Sequence, residues 1–166
     1  MRIALSLVAI SLLGCGGSQA NETVHRRAPA FEALDQEGQT RTLDEFEGEV
    51  VVLYFYPRDA TPGCTQEACA FRDTWGRFED ADAVVLGVST DGVEAHRAFA
   101  AEHELPFPLL ADTDEAIAEA YGVPVTMGYA KRMTFLIDRD GVIRRVFENV
   151  DPAVHADEVL AAIGEL

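Results

Sequence analysis

YFYPRDATPGCTQEACAFRD, residues 54–73, is the stretch around which the rest of the chain is organised. Its first residues close an apolar run at 50–56, the pattern of a central strand buried on both faces. Pro57 ends that run, and Pro62 stiffens the approach to a helix. Cys64 stands where the helix begins, and Cys69 follows five residues later. The first turn of a helix has N–H groups without intrahelical partners, and the helix dipole favours negative charge there. A cysteine so placed is favoured as the thiolate, the nucleophilic form. Thr61, three residues before Cys64, has a hydroxyl within reach of the helix entry and the thiolate region; the simpler role for it is a helix cap. Glu67, three residues after Cys64, shares its helical face. A carboxylate beside a thiolate requires a cation to balance both. Arg72, Arg132, Arg144 and Arg145 are candidates, and Arg132, directly before the apolar run MTFLI, is the best placed.

The spacing of the two cysteines differs from the C-x-x-C of dithiol oxidoreductases. In an intact helix, five residues rise about 7.5 Å and turn about 140°, which leaves the two Cα atoms about 8.6 Å apart. A disulfide needs less than about 7 Å. Either the bond never forms, or the first helical turn unwinds to form it.

Outward from this stretch, the pattern alternates. Residues 29–46 read as a hairpin around Asp35–Gly38, followed by a short helical turn. Residues 65–78 read as a helix with Ala68, Phe71, Trp75 and Phe78 on one face. A strand follows at 84–89, then a helix at 93–103 with Ala95, Ala98 and Phe99 inward and Asp91 as its cap. A short strand at 107–110 and a helix at 112–120 precede the strand MTFLI at 133–137. Asp140-Gly141 predicts a tight turn into a strand at 142–147. An amphipathic helix with Val154, Val159, Leu160 and Ile163 inward closes the chain at 152–163. His96, His103 and His155 are expected on helix surfaces. The pattern implies an α/β sandwich with a mixed sheet. No glycine-rich phosphate loop and no clustered metal-ligand spacing is present, so the sequence calls for no cofactor and no metal.

The first residues differ in kind. A short positive start, an apolar run at 3–13 and Leu-Leu-Gly-Cys at 12–15 form a leader too short to span a bilayer as a helix. It resembles the bacterial lipobox, which implies a signal peptide at 1–14 and a lipid on Cys15. Residues 15–28 are then the lipidated cysteine and a flexible tether, with His25 solvated within it, and 29–166 the folded domain. Residues 16–28 span about 20 Å on average. This predicts an exported lipoprotein of a bacterial cell envelope or periplasm, held to the membrane only by its acyl chains. A formal charge of −16 argues against nucleic acid and anionic membrane surfaces as partners. Three cysteines are too few for a disulfide scaffold.

Pro57-x-x-x-Thr61-x-x-Cys64 matches the peroxiredoxin signature. GCTQEAC, with Cys69, resembles the Q-type branch, also called bacterioferritin comigratory proteins. The likeness continues through FRD at 71–73, GVSTDGVEAHRAFAAEHELPFPLLAD at 87–112 and RMTFLIDRDGVI at 132–143. The resemblance implies a thioredoxin-like fold and reduction of hydrogen peroxide and organic hydroperoxides. It implies that Cys64 is the peroxidatic cysteine, Cys69 the resolving one, Thr61 and Arg132 activating residues, and Pro57 a shield for the pocket. It further implies a thioredoxin-like dithiol as reductant and no cofactor; a monomer is expected. Two departures stand out. Ala60 occupies a position where the family commonly has Asp, and the lipobox is unusual for the family. The alternatives are a thiol–disulfide oxidoreductase, a copper-binding thioredoxin-like protein using the two cysteines, and a structural protein with inert thiols.

Overall fold

The apolar run at 50–56 forms β4 (Val50–Phe55) in the computed structural model, which describes residues 22–166. The signal peptide expected at 1–14 and Cys15 lie outside the described residues. Side chains alternate across a strand, and β4 uses both faces. Val50, Val52 and Tyr54 enter one core, whereas Val51, Leu53 and Phe55 enter the other. The strand pairs in parallel with β5 (Ala83–Ser89) and antiparallel with β9 (Met133–Ile137). β5 pairs in parallel with β6 (Leu109–Ala111), and β9 pairs antiparallel with β10 (Val142–Phe147). The expected N-terminal hairpin is present as β2 (Glu32–Leu34) and β3 (Thr40–Thr42), joined to the sheet through β6. Asp35 Oδ1 accepts from the Glu37 and Gln39 amides and shapes its turn. A 3-10 turn at Leu43–Phe46 follows.

Glu22–Arg27, placed by the sequence in the flexible tether, forms β1, an edge strand paired antiparallel with β10. An edge strand is held by main-chain hydrogen bonds and needs no apolar alternation, so composition alone reads it as tether. The sheet order is β1-β10-β9-β4-β5-β6-β2-β3, a mixed sheet with helices on its faces, as expected.

The helix expected at 65–78 begins earlier and breaks once. It forms α1 (Pro62–Asp73) and α2 (Trp75–Asp80), with Thr74 between them. The Thr74 hydroxyl donates to the Ala70 carbonyl at 2.7 Å, the kind of back-bonding that bends helices. Ala68, Phe71 and Phe78 are buried and Trp75 is half-buried against them. Helix α3 (Val93–His103) buries His96, Phe99 and Ala100, while Ala95 and Ala98 are exposed. Alanine is a good helix former in any orientation and does not mark a face. Asp91 is not the α3 cap; Gly92 is. Helix α4 (Ala116–Tyr121) starts later than expected, and the Asp112 carboxylate accepts from the Ile117 and Ala118 amides at 2.8 Å. In α5 (His155–Ile163) the buried residues are His155, Ala156, Val159 and Ala162, with Val154 outside. Helices α1, α2, α3 and α5 pack residues into the core that holds Tyr54; α4 packs into the other. A small sheet of β7 (Val125–Thr126) and β8 (Tyr129–Ala130) precedes Arg132.

Candidate active site

Pro62 occupies the first helical position of α1, where a missing N–H removes nothing from the helix. Cys64 follows two residues later, inside the first turn, with 1% of its surface exposed. Met133 pairs with Phe55, so the residue before it lies over the end of β4, where the cysteine-bearing turn begins. That residue is Arg132. Its Nη2 donates to Cys64 Sγ at 3.2 Å, and its Nη1 donates to Glu67 Oε2. One guanidinium therefore joins the two helix residues that share a face. Of the four arginines considered from sequence, it alone is hydrogen-bonded to Cys64 among the described residues. Arg72 donates to the His103 carbonyl at 2.7 Å and to Asp73. Arg144 pairs with Asp138 and His25, and Arg145 with Glu165.

Electrostatics follow from burial. Glu67 is 1% exposed, and burial pushes its carboxyl from 4.5 to about 7 although Arg132 pulls it down. For Arg132, burial acts to lower the pKa, but Glu67 and Cys64 outweigh it and hold the guanidinium above its ordinary value. Glu67 Oε1 and the Tyr54 hydroxyl are buried without a hydrogen-bond partner among the described residues.

Thr61 is the residue that enters α1, in an extended conformation. Its side chain does not cap the helix; the hydroxyl donates instead to the Arg58 carbonyl at 3.2 Å. Pro57 is half-buried where β4 ends. Ala60 sits at φ 54°, the left-handed region that Asp or Asn enters more readily than Ala. Cys69 is half-buried, and both cysteines are free thiols. They lie on one helix, where regular geometry holds their Cα atoms about 8.6 Å apart.

Two buried histidines were missed. His96 and His155 are each 0% exposed, not on the surface. His155 Nε2 lies 2.7 Å from the Thr134 hydroxyl, with the rings of Phe147 and Phe71 against it. Burial, assisted by Arg132, lowers its pKa to about 4, so it is neutral at pH 7. His96 lies against Asp59, in the turn ahead of Cys64. A signal for both was available. His96 shares a helical face with Phe99 and Ala100, and His155 with Val159 and Ala162. Among the described residues, no group of three His, Cys, Asp or Glu side chains is placed to hold a metal ion.

A buried thiol with a guanidinium on its sulfur is arranged to attack an electrophile and to stabilise the anion that leaves. Comparison with known proteins points to the same chemistry. Residues 24–146 match the model of the AhpC/TSA family. The chain is 44% identical over 147 residues to the peroxiredoxin bcp of Coxiella burnetii, covering 84% of this chain and 97% of that one. It is 43% identical over 141 residues to chloroplastic peroxiredoxin Q of Populus jackii, covering 83% of this chain and 66% of that one. A solved structure of Xanthomonas campestris bacterioferritin comigratory protein, described for its alkyl peroxide reduction, is 37% identical with a TM-score of 0.78, covering 81% of this chain and 90% of that one. The chain therefore belongs to the AhpC/TSA family and, within it, to the peroxiredoxins of the Q or bacterioferritin comigratory type, thiol-dependent peroxidases of thioredoxin-like fold.

Proposed function

We propose that Cys64 is the thiol that attacks peroxide and Cys69 the thiol that resolves the product. The contact of Arg132 Nη2 with Cys64 Sγ is the observation that carries this assignment. The Cys64 thiolate attacks the distal oxygen of R–O–OH. The S–O bond forms as the O–O bond breaks, and the leaving R–O⁻ takes a proton to become R–OH. Cys64 is left as the sulfenic acid. Arg132 stabilises the thiolate and then the negative charge spread over the two oxygens. The free amides at the start of α1 supply further donors, the Thr61 hydroxyl, its proton on the Arg58 carbonyl, accepts from the incoming peroxide, and Pro57 walls the pocket from water. The start of α1 then unwinds, the Cys69 sulfur attacks the Cys64 sulfur, water leaves and a disulfide forms. An external dithiol reduces that disulfide by thiol exchange and is itself oxidised. Hydrogen peroxide and organic hydroperoxides are the substrates, and a thioredoxin-like dithiol is the reductant.

The leader places this cycle outside the cytoplasm, in a domain held to a bacterial membrane by a lipid on Cys15. Residues 22–27, read from composition as tether, belong to the sheet, so the folded domain begins no later than Glu22. No helix among the described residues is long and apolar enough to cross a membrane. The cycle needs no thiol from a second chain, since both of its thiols lie on one helix, and the working unit we propose is a monomer.

The test is peroxide consumption by two variants supplied with a dithiol. Cys64→Ser abolishes consumption; retained turnover contradicts the assignment. Cys69→Ser still reduces one equivalent of peroxide but is not recycled by that dithiol; continued recycling means that another thiol resolves.

A further inference from the structure

Both ring nitrogens of His96 face acceptors inside the fold. Nδ1 lies 2.8 Å from Asp59 Oδ2, and Nε2 lies 3.2 Å from the Leu110 carbonyl oxygen. A carbonyl oxygen only accepts, and so does a carboxylate. A neutral imidazole has one N–H and can satisfy one of these contacts, whereas the imidazolium donates to both. The other oxygen of Asp59 is taken as well: the Tyr56 hydroxyl donates to Oδ1 at 2.7 Å. Asp59 therefore serves as an acceptor twice, as a carboxylate does. The Tyr56 oxygen is also 3.5 Å from His96 Nδ1, and its hydroxyl proton goes to Asp59 Oδ1. Asp59 and Tyr56 from the strand-end turn, and the Leu110 carbonyl from β6, are the groups that face the ring.

The pair ties α3 and β6 to the turn that leads into α1. The Asp59 amide donates to Asp91 Oδ2 at 2.8 Å, and the Ser89 hydroxyl donates to the same oxygen at 2.9 Å. Asp59 is thus fixed through both its side chain and its backbone. It lies two residues before Thr61 and five before Cys64. Arg132 acts on Cys64 and Glu67 within the helix; His96 acts on the turn ahead of it. A buried ion pair adds little net stability, because desolvation offsets attraction, but it fixes a geometry.

We propose that His96, as an imidazolium paired with Asp59, is a positioning residue for Cys64: it holds the turn at 57–61 so that the sulfur faces Arg132 before peroxide arrives, and it sets the point beyond which α1 unwinds. This rests on Cys64 being the peroxide-reacting thiol.

Two measurements test it. Nitrogen-edited NMR of the reduced wild-type protein at neutral pH reads the ring directly, without peroxide. The expected result is two slowly exchanging ring N–H protons on His96; a single N–H with the nitrogen shifts of a neutral ring overturns the charged pair. Single-turnover kinetics of His96→Gln, and of the neutral pair His96→Gln with Asp59→Asn, read the positioning. The expected result is a peroxide step slowed about tenfold or more, with disulfide formation from the sulfenic acid faster than in the wild type. A folded variant that reacts with peroxide at the wild-type rate overturns the positioning role. Failure of the wild-type Cys64 to be oxidised by peroxide instead overturns the assignment of Cys64, and the positioning role with it.

Discussion

Arg132 reaches Cys64 through one guanidinium nitrogen and Glu67 through the other, and this fork decides what a substitution does. Lysine carries the same charge as a single point on a flexible stem and cannot hold both partners in one plane. A hydrogen bond to a charged group contributes about 1.5–3 kcal/mol, and about 1.4 kcal/mol is tenfold in rate. Arg132→Lys should therefore slow the first reaction with peroxide about ten- to hundredfold, measured by stopped flow on the reduced protein before any dithiol is added. A Lys variant that reacts at the wild-type rate would remove the fork from the mechanism. The pairing of Arg132 with Cys64 and Glu67 was legible in the sequence because all three stand at fixed distances from a strand end or a helix start. His96 was not. An isolated histidine in a helix has no sequence partner, and Asp59 is 37 residues away.

Helix α1 has opposing tasks: it must stay wound to present Cys64 and unwind to let Cys69 reach it. Gly63 is the weak point of its first turn. A Cβ there would meet Arg132 Nη2 at 3.5 Å and the Pro152 ring at 4.0 Å, both ordinary contacts. Gly63→Ala is thus accommodated, and it stiffens the turn by about 0.4–1 kcal/mol through the unfolded chain. Disulfide formation after peroxide should slow about two- to fivefold, and more sulfinic acid should accumulate at excess peroxide. Intact-protein mass against time reads both; an unchanged rate would show that the first turn is not what limits resolution. The helices also show where sequence reading runs out. Their positions follow from punctuation by proline, glycine and aspartate. In α5 Val159, Leu160 and Ile163 pack on the core as expected and only Val154 is outside, whereas in α3 the buried face is turned from Ala95 and Ala98 toward His96 and Ala100, because alanine does not mark a face. The fold buries His96 and His155 by giving each a partner, and partners across the sheet leave no trace in local periodicity.

Across the molecule, two buried groups pull stability in opposite directions with pH. Glu67, raised from 4.5 to about 7, binds its proton more tightly when folded, so its contribution is full below pH 4.5 and lost as pH rises through 7. His155, lowered from 6.5 to about 4, contributes above pH 6.5 and loses that contribution as pH falls through 4. Between pH 4.5 and 6.5 the two slopes offset. Glu67→Gln removes one of them, so urea-unfolding stability of that variant should fall by roughly 2–3 kcal/mol from pH 6.5 to 4.5 relative to the wild type. Parallel profiles would mean that Glu67 does not titrate in this window. At this scale the mixed sheet and its N-terminal hairpin were readable from the alternation of apolar runs, whereas β1 was not, because the edge strand ETVHRR has no apolar alternation and pairs with β10 through its backbone. One helix carries both halves of the redox cycle. The direct measurement is peptide mapping of the wild-type protein by mass spectrometry after one equivalent of hydroperoxide. The expected product is a Cys64–Cys69 crosslink within a single chain; a sulfenic acid on Cys69 with Cys64 unmodified, or crosslinks found only between chains, would rule this cycle out.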